Sequence, residues 1–375
     1  MMNFDGLINK GNINRIKNVM RRAQKGEDIL ISFLGGSITQ GSLATASEKC
    51  YAYLVYTWWV NTFPQANVTY LNAGIGATDS RFAVARVRDH VLSKSPDFLL
   101  VEFAVNDEDD PFWQETYEGL VRTVLKCEYP IGLLLMNNAW FDSGKSAEGI
   151  HLPIARHYDV PMVSMKNTIY AAIENGELIK ENLSPDMLHP NDLGHRMVSD
   201  VIINSLEKIY AEVIGTDLDV AFDNDISFPS SMTANRYEES MIINGDNFES
   251  FDVTLDGFEK DIRPKREFLD IFSRGFTAKE VGQSISLSVT CRGISVQFKR
   301  TVNKPAPVAF AIIDFDEKNP VMLDANFDED WGDLLCLKAL ITEYEAKEHH
   351  VEIRINETAQ NAREPFYLVS LVINV

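Results

Sequence analysis

The chain has 375 residues, too long for a single ordinary hydrophobic core, so two domains are expected. Hydrophobic residues make up 45% of it, which excludes a disordered chain, and a formal net charge of −20 disfavours nucleic acid and membranes as partners. No apolar run reaches the roughly 20 residues that span a bilayer, and the N-terminus has no signal-peptide pattern. We therefore expect a cytoplasmic protein, and the composition leaves open whether it forms a homo-oligomer.

The first half of the chain alternates short apolar runs with longer amphipathic ones. Residues 81–94 and 117–127 have apolar side chains at three- and four-residue spacing, which predicts helices, and the N-terminal stretch is predicted to lead into a helix. Strands that are apolar on both faces and separated by helices indicate a parallel sheet covered on both sides. We predict a doubly wound, flavodoxin-like α/β domain over residues 1–215, with strands at residues 28–35, 68–74, 97–105, 131–137 and 160–165.

The helical pattern stops after residue 215, and strand-length runs separated by Gly, Pro and Asn take its place. Several such runs within about 150 residues indicate two packed antiparallel sheets. We predict a β-sandwich (jelly-roll) domain over residues 216–375, joined to the first through a linker at residues 215–231. Its clearest strands are predicted at residues 284–291, 293–300, 308–315, 335–342, 349–357 and 366–375.

Polar side chains suited to chemistry follow the predicted strands of the first domain. Ser37 comes directly after two glycines at the end of the first strand, and Asn106 follows the third. Asp186 precedes His189 by three residues, just before the last helical pattern. Because the carboxyl ends of parallel strands meet at one edge of a sheet, we expect these groups to come together.

This set of groups is complete for transfer of an acyl group. A serine hydroxyl is a poor nucleophile unless a neighbouring imidazole takes its proton, and a carboxylate that fixes the tautomer of the imidazole assists it. Ser37 is therefore the predicted nucleophile, His189 the base and Asp186 the orienting carboxylate. The backbone N–H of Ser37, an N–H from the glycine-bearing loop after the second strand, and the Asn106 amide are predicted to bind the oxyanion.

Four sequence blocks, in order, resemble those of the SGNH (GDSL-like) hydrolases over about residues 28–212. The serine block is GGSIT, with Gly36 where many members carry Asp. The glycine block is NAGIGATD, in which the family's oxyanion glycine aligns with Ala77 and Gly76 is the neighbouring alternative. The third block, AVND, keeps Asn106 but lacks the usual glycine two positions earlier, and the D-x-x-H block is intact. The resemblance implies the same hydrolase fold and the same catalytic roles.

A second Asp–His pair competes for the role of base. Asp192 precedes His195 by the same three residues, so spacing alone does not choose between the two pairs. His195 is expected inside the last helix, away from the strand ends, which favours His189. Neither His151 nor His157 has a comparable acidic partner in the sequence.

The run NDEDD at residues 106–110 is a candidate metal site, because hard cations prefer clustered oxygen ligands. A short acidic run is more often a solvated loop, so no metal is predicted there, and Asp107 is expected to orient the local turn. Acyl transfer through a serine needs no organic cofactor either.

Aromatic and amide side chains in polar loops are candidates for the walls of a binding site. Trp331 lies among five acids in DANFDEDWGD, and aromatic faces stack well on the C–H surfaces of sugars. Asn138 and Trp140 follow the fourth strand, and Trp113 follows the asparagine block. For the aromatic residues, packing against the protein's own core is the alternative.

The order of an SGNH domain followed by a β-sandwich resembles carbohydrate esterase family 17, mannan acetylesterases whose C-terminal module is similar to a carbohydrate-binding module. The resemblance implies removal of acetyl groups, preferentially at the 2-O position, from mannose in mannan-derived oligosaccharides inside the cell. It also suggests that the β domain covers the active site, with Trp331 reaching across. The alternatives are an SGNH esterase, lipase or thioesterase with another acyl substrate, and an inactive sugar-binding protein.

Overall fold

In the computed structural model, the residues described are 4–217, 222–224, 228–264 and 270–375. The chain divides into two units, Met1–Glu238 and Glu239–Val375. Within the described ranges, every helix is too short or too polar to cross a membrane.

The first unit is built on a parallel sheet. Its described strands are β1 (Leu7–Asn9), β2 (Asp28–Gly35), β3 (Asn67–Gly74), β4 (Phe98–Glu102), β5 (Gly132–Asn137) and β6 (Met162–Ser164). They form one sheet in the order β1-β6-β5-β4-β2-β3, in which β2 to β6 run parallel and β1 pairs antiparallel with β6. The predicted parallel α/β domain is confirmed. The edge strand β1 lies where the sequence predicts the lead-in to a helix, because three half-buried residues are too few to show alternation.

Helices cover both faces of this sheet. The described α-helices are α1 (Asn14–Gln24), α2 (Ser37–Gln40), α3 (Tyr51–Thr62), α4 (Ser80–His90), α5 (Pro111–Leu125), α6 (Glu148–His157), α7 (Ala171–Glu174) and α8 (Asp192–Ala211). One buried cluster joins the sheet to α1, α3 and α8, and a second joins it to α4, α5 and α6. Successive strand residues point to opposite faces, so Leu100 of β4 lies in the first cluster and Leu99 in the second. This burial on both faces explains the unbroken apolar runs.

The direction of strand addition reverses at β2, as in flavodoxin-like sheets. β3 pairs with one side of β2 and β4 with the other, so the connections leave in opposite directions and open a crevice at the carboxyl ends of the strands. Ser37 begins α2 directly after β2, and Asn106 follows β4 by four residues. The fold therefore brings both groups to this crevice.

The second unit is entirely antiparallel. Its described strands are β7 (Ser240–Ile243), β8 (Asp252–Asp256), β9 (Glu259–Lys260), β10 (Phe276–Ala278), β11 (Ser284–Arg300), β12 (Val308–Ile313), β13 (Val321–Asp324), β14 (Leu334–Glu357) and β15 (Phe366–Asn374). Each pairs antiparallel with its neighbours in one hydrogen-bonded network. The predicted all-β second domain is confirmed.

Two strands of this unit are far longer than the sequence predicts. β11 joins the two runs predicted at 284–291 and 293–300. β14 joins the runs predicted at 335–342 and 349–357. The register between β11 and β14 shifts after Cys291, and such a bulge bends a strand. Leu287 before the bulge and Val296 after it belong to the same buried core. The two layers expected of a sandwich are therefore parts of one continuous sheet.

The first unit extends beyond the boundary predicted at residue 215. Residues 229–238 pack on α5, where Glu118 accepts hydrogen bonds from two backbone N–H groups of this segment at 2.6 and 2.9 Å. Glu115 of α5 forms an ion pair with Arg236 at 2.5 Å. These contacts place the segment with the α/β unit. Part of the predicted linker, residues 218–221 and 225–227, lies outside the described residues.

Candidate active site

The turn after β2 is tight because neighbouring groups fill the space beside its two glycines. A Cβ on Gly35 would lie 2.8 Å from the carbonyl oxygen of Glu102. A Cβ on Gly36 would lie 2.5 Å from Asn106 Oδ1. Real Cβ atoms do not approach other atoms this closely, so the chain needs glycine at both positions to bring Ser37 beside Asn106.

Ser37, His189 and Asp186 form a continuous chain of hydrogen bonds. Ser37 Oγ lies 2.8 Å from His189 Nε2, and His189 Nδ1 lies 2.7 Å from Asp186 Oδ2. Because Nδ1–H donates to the carboxylate, Nε2 is left as the acceptor for the serine hydroxyl. The fold thus joins residues that are 152 positions apart in an arrangement able to deprotonate a serine.

The turn that carries Asp186 is stabilised by hydrogen bonds between the Asp186 side chain and the backbone that follows it. Asp186 Oδ1 accepts hydrogen bonds from the N–H groups of Leu188 at 3.0 Å and His189 at 2.7 Å. Met187 has a φ of 65°, and its carbonyl oxygen accepts a hydrogen bond from the N–H of Phe141. Partial burial opposes the ionisation of Asp186, but these hydrogen bonds and the one from the His189 ring hold its pKa below the usual carboxylate value.

The competing pair, Asp192 and His195, is separated in the structure. Asp192 accepts hydrogen bonds from the backbone N–H and the hydroxyl of Thr45, each at 2.8 Å. His195 is buried in α8, where Nδ1 accepts from the N–H of Tyr51 and Nε2 donates to the carbonyl of Ser42. Burial lowers the pKa of His195 to about 4. Both ring nitrogens are engaged elsewhere, which favours His189 as the base.

The loop after β3 offers two N–H groups for an oxyanion, and one of them is engaged. The N–H of Gly76 donates to Gln40 Oε1 at 2.8 Å. Ala77 has a φ of 56°, in the left-handed region where a glycine is unstrained, and its N–H has no acceptor among the described residues. The geometry therefore favours Ala77 over Gly76.

The acidic run at residues 106–110 is used for contacts within the protein. Asp110 caps α5 by accepting hydrogen bonds from two of its N–H groups, and Glu108 pairs with Lys145 at 2.9 Å. Asp107 is buried, with only 3% of its surface exposed. Throughout the described part of the chain, no cluster of three or more His, Cys, Asp or Glu side chains is placed to hold a metal ion.

The predicted binding-wall residues differ in their exposure. Asn138 is 3% exposed and lies inside the first unit, just after β5, whereas Trp140 and Trp113 are half-buried. Trp331 of the second unit packs edge-to-face on Phe327, with ring centroids 5.1 Å apart, and remains 61% exposed. Trp331 therefore has a face free to stack on a ligand, whereas Asn138 does not form an open wall.

Some polar residues next to the site are absent from the sequence predictions. Asn72 spans the turns after β2 and β3, because its amide donates to the Thr39 carbonyl at 2.7 Å and its Oδ1 accepts from Gly74 N–H at 2.8 Å. His151, which belongs to no D-x-x-H block in the sequence, has its Nε2 3.0 Å from Asp107 Oδ2. This acidic partner is 44 residues away along the chain, where no local spacing reveals it.

Comparison with known proteins finds a family that matches the part of the chain carrying these residues. The GDSL-like Lipase/Acylhydrolase family matches residues 33–197, the segment that carries all four blocks. One similar structure is that of a two-domain esterase (CEX) active on acetylated mannans, co-crystallised with mannopentaose. Its sequence is 44% identical to this chain, and the alignment covers 99% of this chain and 98% of that one, with a TM-score of 0.91. A second structure of a two-domain esterase (CEX) active on acetylated mannans is 45% identical, with the same coverage and TM-score. The chain belongs to the GDSL-like lipase/acylhydrolase family.

Membership of this family makes the protein a carboxylic-ester hydrolase. The similarity to the two-domain esterases extends through the β unit, which the family match itself does not reach. The resemblance predicted from the four blocks is confirmed. No curated protein matches this GDSL-like esterase.

Proposed function

We propose that this GDSL-like esterase removes acetyl groups from mannose in mannan-derived oligosaccharides. The hydrogen-bond chain of Ser37, His189 and Asp186 carries the proposal, because it presents an activated hydroxyl at the strand-end crevice. Similarity over nearly the whole chain to esterases active on acetylated mannans supports this substrate class. The preference for the 2-O position and the cytoplasmic location are drawn from the resemblance to carbohydrate esterase family 17.

The proposed reaction has two steps, with Ser37 as nucleophile and His189 as base. In the first, His189 Nε2 takes the hydroxyl proton as Ser37 Oγ attacks the acetyl carbonyl carbon. The bond to the sugar oxygen then breaks, and His189 returns the proton to that oxygen. In the second, a water gives a proton to His189 and attacks the acetyl-serine, acetate leaves, and Ser37 regains its proton. Asp186 holds the imidazole in the required tautomer throughout.

Three donors are proposed to bind the oxyanion of each tetrahedral intermediate. They are the backbone N–H groups of Ser37 and Ala77 and the side-chain amide of Asn106. The engagement of the Gly76 N–H with Gln40 supports Ala77 as the donor from its loop. Removing one such donor, as in Asn106→Ala, is expected to lower kcat roughly 10²–10³-fold.

In each unit, taken by itself, aromatic side chains are proposed to bind sugar rings. Trp331 offers an exposed indole face, and Trp113 a half-buried one. Trp140 is half-buried and is a third candidate, through the exposed part of its ring, because its Nε1 is buried. The buried Asn138 is proposed to support the loop that carries Trp140, because its carbonyl oxygen accepts a hydrogen bond from the Ser146 hydroxyl of that loop.

The proposal is tested by measuring acetate released from acetylated manno-oligosaccharides, with acetylated xylo-oligosaccharides as the alternative substrate. Wild type is compared with Ser37→Ala and with Ser42→Ala, which alters a nearby serine outside the hydrogen-bond chain. Release from manno-oligosaccharides that disappears only in Ser37→Ala supports both nucleophile and substrate. Ser37-dependent hydrolysis of p-nitrophenyl acetate without release from mannan fragments contradicts the substrate class. Activity that survives Ser37→Ala contradicts the nucleophile.

A further inference from the structure

The three proposed oxyanion donors lie on three separate loops, so their relative positions depend on what joins those loops. Ser37 begins α2, Ala77 lies in the loop after β3, and Asn106 lies in the loop after β4. A displacement of about 1 Å at a reacting centre can cost ~100-fold in rate. Two side chains outside the Ser–His–Asp chain, Gln40 and Asp107, connect the middle loop to its neighbours.

Gln40 connects the nucleophile helix to the loop after β3. It is the last residue of α2, the helix that Ser37 begins, and its Oε1 accepts the N–H of Gly76 at 2.8 Å. A Cβ on Gly76 would lie 2.8 Å from the same oxygen, so glycine permits this close approach. The contact fixes the Ile75–Gly76 peptide, the one before the peptide that carries the Ala77 N–H, relative to the nucleophile.

Asp107 connects the same loop to the loop after β4. It directly follows Asn106 and is 3% exposed, and its Oδ1 accepts the N–H of Ser80 at 3.0 Å. Ser80 begins α4, three residues after Ala77. The segment that carries Ala77 is therefore held between Gln40 on one side and Asp107 on the other.

His151 fixes the orientation of Asp107. His151 is fully buried, with Nε2 3.0 Å from Asp107 Oδ2 and Nδ1 3.1 Å from Asn137 Oδ1. Its ring stacks on Tyr117 with a centroid distance of 3.5 Å and an interplanar angle of 10°. Asn137 Oδ1 only accepts, so Nδ1 carries the proton and Nε2 accepts. Burial raises the pKa of Asp107 and lowers that of His151, which favours a protonated Asp107 donating to a neutral imidazole.

We propose that Gln40 and the buried Asp107–His151 pair are positioning residues that hold the Ala77 N–H in register with Ser37 and Asn106. None of the three touches the reacting atoms; each acts through the loop that carries Ala77. The inference rests on the proposed esterase mechanism and adds residues that the triad and its oxyanion donors do not include.

The test measures kcat and KM for p-nitrophenyl acetate, together with the melting temperature, in three variants. Gln40→Met removes the acceptor from an exposed side chain, and Asp107→Ala removes the buried contact. Both are expected to lower kcat roughly 10- to 100-fold, with KM within about twofold of wild type. Asp107→Asn is expected to keep most of the wild-type kcat, because Oδ1 still accepts from Ser80 and the new amide N–H donates to His151.

Two control variants separate positioning from general stability. Gln65→Met alters a second exposed glutamine, whose amide donates to the backbone carbonyl of Gln24. Tyr158→Phe removes the buried hydrogen bonds that the Tyr158 hydroxyl makes with Glu118 and Arg122, away from these loops. Both are expected to keep wild-type kcat.

The outcomes distinguish a failure of this inference from a failure of the proposed esterase function. Wild-type kcat in both Gln40→Met and Asp107→Ala overturns the inference. So does a loss of kcat in the Tyr158→Phe control that matches the loss in Asp107→Ala at equal melting temperature. An Asp107→Asn variant as slow as Asp107→Ala overturns the assigned hydrogen-bond geometry. If instead the wild type shows no turnover that depends on Ser37, the proposed function fails first and the inference with it.

Discussion

Ser37 reaches the crevice because the two residues before it carry no side chains. The space that a side chain on Gly36 would occupy is filled by the amide of Asn106, with Oδ1 only 2.5 Å from the position of the missing Cβ. Because protein interiors are closely packed, a side chain added at Gly36 would displace the neighbouring groups. The glycine therefore sets the distance between the nucleophile and one proposed oxyanion donor.

Gly36→Ala is expected to lower kcat for p-nitrophenyl acetate roughly 10- to 100-fold, because the added methyl group displaces the Asn106 amide. Gly149→Ala is the control, since the atoms nearest to a Cβ at that position belong to the flexible carboxylate of Asp109, the first at 2.9 Å. Steady-state kinetics and melting temperatures of both variants check the prediction. Wild-type kcat in the Gly36→Ala variant would show that Asn106 does not need its present position.

Asp186→Asn is expected to lower kcat by roughly 10⁴-fold with little change in KM, because an amide N–H facing His189 imposes the wrong tautomer on the imidazole. Asp192→Asn is a matched control, since Asp192 stands in the same sequence relation to His195 but hydrogen-bonds to Thr45. Kinetics on p-nitrophenyl acetate compare the two variants. Equal losses in both would contradict the choice of His189 over His195.

At the scale of elements, strand β4 ends at the crevice with a buried acid, Glu102. Glu102 is fully buried, and its Oε1 accepts the N–H of Ala104 at 3.0 Å. Burial raises the pKa of Glu102 to about 7, against the opposing effect of the hydrogen bond from Ala104. Since an unfolded glutamate titrates at about 4.3, the folded state holds this proton more tightly than the unfolded state does.

Glu102→Gln is expected to raise the melting temperature more at pH 8 than at pH 5. The wild type loses stability as pH rises from the unfolded pKa through the folded pKa of about 7, whereas glutamine stays neutral throughout. Calorimetry at several pH values measures the difference between variant and wild type. The exposed Glu128→Gln serves as the control. A difference that shrinks as pH rises would mean that Glu102 is ionised in the folded protein.

The helix α5 determines where the first unit ends. Glu115 and Glu118 are buried on this helix and have their partners in residues 229–238, after the end of the last helix. A chain cut at residue 215 leaves both acids without these partners.

A fragment ending at Glu238 is therefore expected to keep Ser37-dependent hydrolysis of p-nitrophenyl acetate. A fragment ending at Gly215 is expected to be less stable by about 3–5 kcal/mol, the cost of breaking a buried ion pair by removing one partner. Denaturant unfolding of the two fragments measures this difference. Equal stability would show that residues 216–238 add nothing to the first unit.

At the scale of the whole molecule, the β unit is expected to contribute sugar binding. Trp331→Ala is predicted to raise KM for acetylated manno-oligosaccharides about threefold to tenfold, with kinetics on p-nitrophenyl acetate unchanged, because only the longer substrate offers sugar faces for stacking. Phe315→Ala is the control, since Phe315 is 74% exposed in the same unit. Unchanged KM in Trp331→Ala, or an equal rise in both variants, would contradict a specific role for Trp331.

Much of this architecture follows from local pattern. The five parallel strands and the helices at 81–94 and 117–127 carry apolar periodicity strong enough to predict, and four short blocks indicate the site. The short edge strand β1 and the continuity of β11 and β14 have no such local signal. Whether two runs form one strand depends on the partner strand that pairs with both, as β14 does along β11.

The sequence by itself therefore determined the two fold classes, the family, and the candidates Ser37, Asn106, Asp186 and His189. Only the tertiary structure decided which of two equally spaced Asp–His pairs meets the serine, and that the N–H of Ala77, and not that of Gly76, lacks an acceptor among the described residues. It also decided that His151 has a partner in Asp107 and that the first unit continues past residue 215. Spacing along a chain constrains only contacts within a few residues, whereas these contacts join distant segments whose approach is set by packing of the whole domain.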